Sequence, residues 1–145
     1  MRTATLPLLL LAALFIGITG CQSQPANDKL TLENNYWKLV ELHGKPVAVI
    51  DNQTEPHLIL HADKQRVAGS GGCNRIMGSY TVHADTVQFK QMASTMMFCA
   101  EGMDTEQMFL RSLEGEQHWV TTHDTLTLSN KQGKVFARFS VVYLR

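Results

Sequence analysis

The chain has 145 residues, with 13 lysines and arginines balancing 13 aspartates and glutamates, so its net charge is zero with the six histidines neutral. That balance excludes the strong positive field that holds nucleic-acid partners, and no polybasic run exists to lay the protein flat on anionic lipid. A chain of this length with 44% hydrophobic residues suits one domain with one core.

Arg2 is the only charged side chain before the apolar run Leu6–Ile18, and the run ends in Thr19-Gly20-Cys21. A positive start, a short apolar centre and small residues at a cut outline a secretory signal. Thirteen residues, 18 − 6 + 1, fall short of the ~20 needed to span a bilayer. Ile18-Thr19-Gly20-Cys21 resembles a bacterial lipobox, in which the cysteine thiol is lipidated and the chain is cut just before it. Residues 1–20 are then a signal peptide, and 21–29 a flexible tether behind the acylated Cys21. Residues 30–145 form the folded domain. A fully acylated cysteine anchors stably, where a single acyl chain binds only marginally. Gln22 stands where an aspartate would favour inner-membrane retention, so the expected place is the periplasmic face of the outer membrane.

From Leu30 onward, short strand-like runs alternate with turn residues at regular spacing, an all-β signature. Tyr36–Leu42 is aromatic and β-rich, and His43-Gly44-Lys45-Pro46 breaks it. Leu58-Ile59-Leu60 precedes a turn at Ala62–Gln65, and Arg66–Gly69 starts as a strand before the permissive Ser70-Gly71-Gly72. Tyr80–Val82 and Thr86–Phe89 flank His83-Ala84-Asp85 as a hairpin. One segment reads as a helix, Thr105–Glu114. Asp104 is its capping acid, Gln107 lies three residues on, and Gly115 ends it. Phe109 and Leu113, four apart, are expected to face the sheet, with Glu106 and Arg111 leaning towards water. Strands follow at His118–Thr121, Thr125–Ser129 and Val135–Phe139, the last with Val135, Ala137 and Phe139 on one face and Phe136 and Arg138 on the other.

With Cys21 used by the anchor, Cys73 and Cys99 remain, and an even pair in an oxidising compartment favours a disulfide over two separate buried thiols. Gly69-Ser70-Gly71-Gly72 lacks the Gly-Lys-Ser/Thr ending of a phosphate loop, so its glycines read as serving a bulge or close packing. His57 and His61 have zinc-ligand spacing for a helix, but on a strand residues four apart are ~13 Å from one another, too far to share a metal. Met92, Met96, Met97, Met103 and Met108 surround Cys99 in sequence; soft sulfur could hold Cu(I), and adaptable packing under the helix is the plainer role. No nucleophile elbow or catalytic zinc motif is present, so no catalytic residue, metal or cofactor is assigned.

The segments Gly71-Gly72-Cys73-Asn74-Arg75, Gly78-Ser79-Tyr80 and Ala93-Ser94-Thr95-Met96-Met97-Phe98-Cys99-Ala100 resemble those of a META domain of the HslJ type. Trp37-Lys38-Leu39-Val40 and Gly44-Lys45-Pro46-Val47 fit the same family, and the resemblance runs from about Leu30 to Leu144. Two departures are Phe98, where a small residue is common, and Ala100, where proline often follows the cysteine; they imply a looser turn after Cys99. The resemblance implies a mainly β (α+β) fold, a small curled antiparallel sheet or cracked barrel with one helix packed on it. Gly72, Cys73, Asn74, Gly78, Thr95, Met97 and Cys99 carry over as motif positions with a structural role. The family implies no reaction, and its loose links to stress response and envelope upkeep point to a non-enzymatic binding or interaction module. The expected partners are the membrane, through the lipid anchor, and an envelope protein or small apolar ligand. An apolar-ligand carrier with a slot between helix and sheet is the second reading, and a metal protein or enzyme the third.

Overall fold

A computed structural model of the protein describes residues 29–143, so the signal segment, Cys21 and the tether up to residue 28 lie outside the described residues. Nine strands and one helix follow in the order β1 (Tyr36–Leu42), β2 (Lys45–Pro46), β3 (His57–His61), β4 (Arg66–Ser70), β5 (Arg75–His83), β6 (Thr86–Ser94), α1 (Met103–Ser112), β7 (Gly115–Thr122), β8 (Thr125–Ser129) and β9 (Val135–Val142). All strand pairs are antiparallel, and β1 also pairs with β9, so the sheet curls into a ring. The ring is not a regular barrel. β6 and β7 are paired only at Thr86–Gln88, and beyond that they part, bridged again only between Phe89 and Glu114 beside the end of α1.

Period-two alternation sets the inner face. Trp37 and Leu39, Leu58 and Leu60, Val87 and Phe89, and Leu126 and Leu128 all point into one buried cluster. Each such side chain contributes about 1.5–3 kcal/mol relative to exposure. β9 departs from the expected alternation. Its pairing with β8 jumps from Ala137–Leu128 to Val135–Ser129, which leaves Phe136 as an extra residue and turns it into the core beside His43. Such a bulge adds one residue and reverses the facing of those beyond it. Several strands run longer than their composition suggested, β5 over Arg75–His83, β6 over Thr86–Ser94 and β7 over Gly115–Thr122. Lys45–Pro46, expected only to break β1, pairs back on Leu42 and Glu41.

The ring has two ends. At one lie the turns after β3, β5 and β7 and the entering segment Leu30–Asn35, whose Leu32 is buried and accepts a 2.8 Å hydrogen bond from Trp37 Nε1 at its carbonyl. Nearby, Tyr80 donates its phenol to the Glu33 carboxylate, and burial together with that carboxylate pushes the phenol pKa up. At the other end lie the β4–β5 connection, residues 95–102 and α1.

The helix begins at Met103, two residues before the expected start, and ends at Ser112. Gly102 at φ 85° turns the chain into it with no side-chain cap, so Asp104 is not the cap but an exposed acid in the first turn. There it complements the positive end of the helix dipole. Phe109 and Leu113 face the sheet as expected, with no exposed surface, and Phe109 lies 6.0 Å from the Phe139 ring. The seam between helix and sheet is therefore packed at these two residues, while a cleft of about 400 Å³ opens between Leu110 and Arg111 of the helix and Met92–Ser94 of β6. Truncating Phe109→Ala should cost about 3–5 kcal/mol, because the cavity left behind adds to the lost burial. Denaturant unfolding checks the cost; a negligible loss accompanied by uptake of an apolar fluorescent probe would show an open slot instead.

Candidate functional site

The family-motif positions converge at the helix end of the ring, around Asn74. This side chain is 2% exposed and uses its whole hydrogen-bonding capacity. Its Nδ2 donates to Glu106 Oε1 at 2.7 Å and to the Met97 carbonyl at 3.1 Å. Its Oδ1 accepts from the Thr95 hydroxyl at 2.8 Å and from the Met97 amide at 2.7 Å. An amide side chain offers two donors and two acceptor positions, and all four are filled. The Asn74 backbone amide adds a 2.7 Å bond to Glu106 Oε2, so the carboxylate is held by both its oxygens.

Glu106 corrects the sequence reading. Expected to lean towards water, it is 3% exposed and turned into the fold. Its position carried the signal, since it lies three residues before Phe109 and seven before Leu113, on the apolar stripe of the helix. Among the described residues no lysine or arginine lies within ion-pair distance of it. Charge-assisted bonds from neutral N–H groups replace its lost hydration instead, and such bonds are about twice as strong as neutral ones. Gly71 makes room for it, because a Cβ at that position would overlap the Glu106 side chain. The packing expected of these glycines was against the sheet, which Gly69 provides beside the His57 backbone of β3; Gly71 instead gives room to a helix side chain.

The remaining motif residues surround this hub. Cys73 and Cys99 are joined in a disulfide, with Cα atoms 6.0 Å apart. Gly72 sits between them and β4 with a left-handed φ of 123°. Thr95 also accepts from the Arg75 amide at 3.1 Å, tying the loop to the start of β5. Gly78 lies apart, in the middle of β5 opposite Val67, where a side chain would press on Met92. Cys21 lies outside the described residues.

The result is a loop fixed at two points. Met97 is held by both its backbone groups and Cys99 by its sulfur, with Phe98 between them. The side chains of Met96, Met97 and Phe98 nevertheless point outward, 98%, 57% and 89% exposed. Of the five methionines expected to pack under the helix, Met96, Met97 and Met108 are exposed instead, while Met92 packs against the core. Beside the loop, Val47, Ile50, Pro56, Gly72 and Gly102 line a cleft of about 330 Å³. Gln53 lies against it, donating from Nε2 to the Glu101 carbonyl at 2.9 Å. His57 and His61 sit on β3 as a strand pair, and the His57 ring stacks on Tyr36 at 4.3 Å. Among the described residues, no group of three or more His, Cys, Asp or Glu side chains is placed to hold a metal ion.

Two consequences are measurable. Asn74→Ala leaves Glu106 Oε2 its backbone bond but takes the donor from Oε1 and unpairs both Met97 backbone groups from the side chain, and should cost about 3–5 kcal/mol in all. In a cycle with Glu106→Ala, urea unfolding should give a coupling energy of about 1–3 kcal/mol; additive losses would mean the two side chains act independently. Closing the 26-residue separation between Cys73 and Cys99 should contribute about 3–4 kcal/mol, so a reductant should lower the unfolding midpoint. Either cysteine variant alone should lose about as much as the double variant, roughly 2–5 kcal/mol, because each already breaks the same cross-link.

The META domain family model matches residues 30–143. A protein structure determined by NMR from Burkholderia xenovorans superposes with a TM-score of 0.63 at 23% identity, covering 78% of this chain and 85% of that one. A second NMR structure gives a TM-score of 0.60 at 23% identity over 75% of this chain and 91% of the other. At that identity the likeness shows the fold alone. No curated protein matches the chain. The family match spans nearly all the described residues: the chain belongs to the META domain family.

Proposed function

We propose that this protein is a lipid-tethered interaction module, held at the periplasmic face of the outer membrane and working by binding rather than catalysis in the upkeep of the cell envelope. One observation carries the reading. Met96, Met97 and Phe98 are presented to solvent on a loop that the disulfide and the Asn74 bonds hold in place. Contiguous exposed apolar side chains mark interaction surfaces, where scattered ones would be ordinary. The buried polar cluster behind them supports a structural role. Asn74 and Glu106 spend their hydrogen bonds on each other and on the loop, which leaves no group poised for proton transfer or attack. Phe109 and Leu113, packed with no exposed surface, argue against an apolar ligand carried beneath that face of α1. The tether is supported by Ile18-Thr19-Gly20-Cys21 and by Gln22.

Metabolic labelling with palmitate tests the tether. The wild-type chain should take up label and be cut before Cys21, Cys21→Ser should do neither, and fractionation should place the mature form in the outer membrane. Label kept by the variant, or recovery in the inner membrane, overturns the assignment.

A further inference from the structure

We infer that the Met96–Met97–Phe98 loop is a prong that docks into an apolar recess on a partner protein, and that the rim of this recess is basic; the inference rests on reading the chain as a tethered interaction module. Phe98 and Met96 are almost wholly exposed, and aromatic residues and methionine are the types enriched where interfaces bury their centres. A flexible loop would lose much of the gain to ordering, but Phe98 sits between the doubly bonded Met97 backbone and the bridged Cys99. The backbone cost is already met in the free protein. The shape is convex, so its complement is concave.

Charge and position choose between a protein and a lipid surface. Residues 95–104 carry Glu101 and Asp104, both exposed, and no lysine, arginine or histidine. The bond from Gln53 to the Glu101 carbonyl brings the segment holding exposed Asp51 alongside. Opposing these acids at the base of the loop is Arg75, whose amide meets Thr95. An acidic flank repels anionic headgroups and attracts a basic rim. The chain also enters the fold at the opposite end of the ring, where Thr121 donates to the Leu30 carbonyl. The nine residues of β5 alone span about 30 Å between the two ends, so the prong lies at the end of the ring remote from where the tether joins.

The test uses the full chain in living cells, with a photo-crosslinking phenylalanine analogue replacing Phe98 or, as a control at the other end, Val120. The expected result is one discrete protein adduct from position 98, none from position 120, and a roughly tenfold lower yield when Glu101→Lys and Asp104→Lys are combined. Both substituted sites are exposed, so the unfolding midpoint should stay unchanged and the palmitate label should be retained. An adduct with lipid, an adduct with a second copy of the chain, or no adduct from a labelled, folded chain overturns the inference. So does a protein adduct indifferent to the charge reversal, although that outcome leaves the interaction-module reading standing. Loss of label from the unsubstituted chain is a separate failure, of the tether itself.

Discussion

The bond set between Asn74 and Glu106 is the constraint on which the functional end of this molecule depends. It joins three segments that share no strand ladder: the β4–β5 connection, the helix, and the loop that follows β6. A buried carboxylate without a cationic partner is costly unless donors replace its water, and here a backbone amide and a side-chain amide do so. Removing any member leaves at least one buried bond of the set unmade. The arrangement therefore acts as a unit, and it dictates residues around it, Gly71 by close approach and Thr95 by its hydroxyl.

The disulfide works on the same loop by another route. Asn74 fixes the native geometry of Met97 through hydrogen bonds, whereas the Cys73–Cys99 link restricts the chain before it folds. Two independent restraints on a loop that buries none of Phe98 are hard to explain as stabilisation of the core. They are accounted for if the loop must hold one shape while exposed, which is what binding without an ordering cost requires. The opposite end of the ring has a different task. There Leu32 is buried against the Trp37 side of the core, and the chain leaves towards its N-terminus.

Much of the fold could be read from the sequence because most of the strands are bounded by their own residues. β1 at Tyr36–Leu42 and β8 at Thr125–Ser129 fall where alternation and turn residues put them, and Phe109 and Leu113 face inward as their spacing requires. The pairing of Cys73 with Cys99 was likewise expected, from an even pair left once the domain is read as exported, and the two are joined. These features depend on local periodicity and on composition, which a sequence carries directly.

What only the tertiary structure decided are the features that rest on partners far along the chain. Alternation gives a strand two faces but does not say that β1 closes on β9, or that Phe136 is the extra residue that turns inward. The methionines near Cys99 were expected to pack under the helix, and the loop geometry set by Asn74 places Met96 and Met97 outside. Glu106 shows the reason most plainly. Its spacing put it on the buried stripe while its charge argued for water, and the conflict was resolved by donors on Asn74, 32 residues away, that no local pattern could announce.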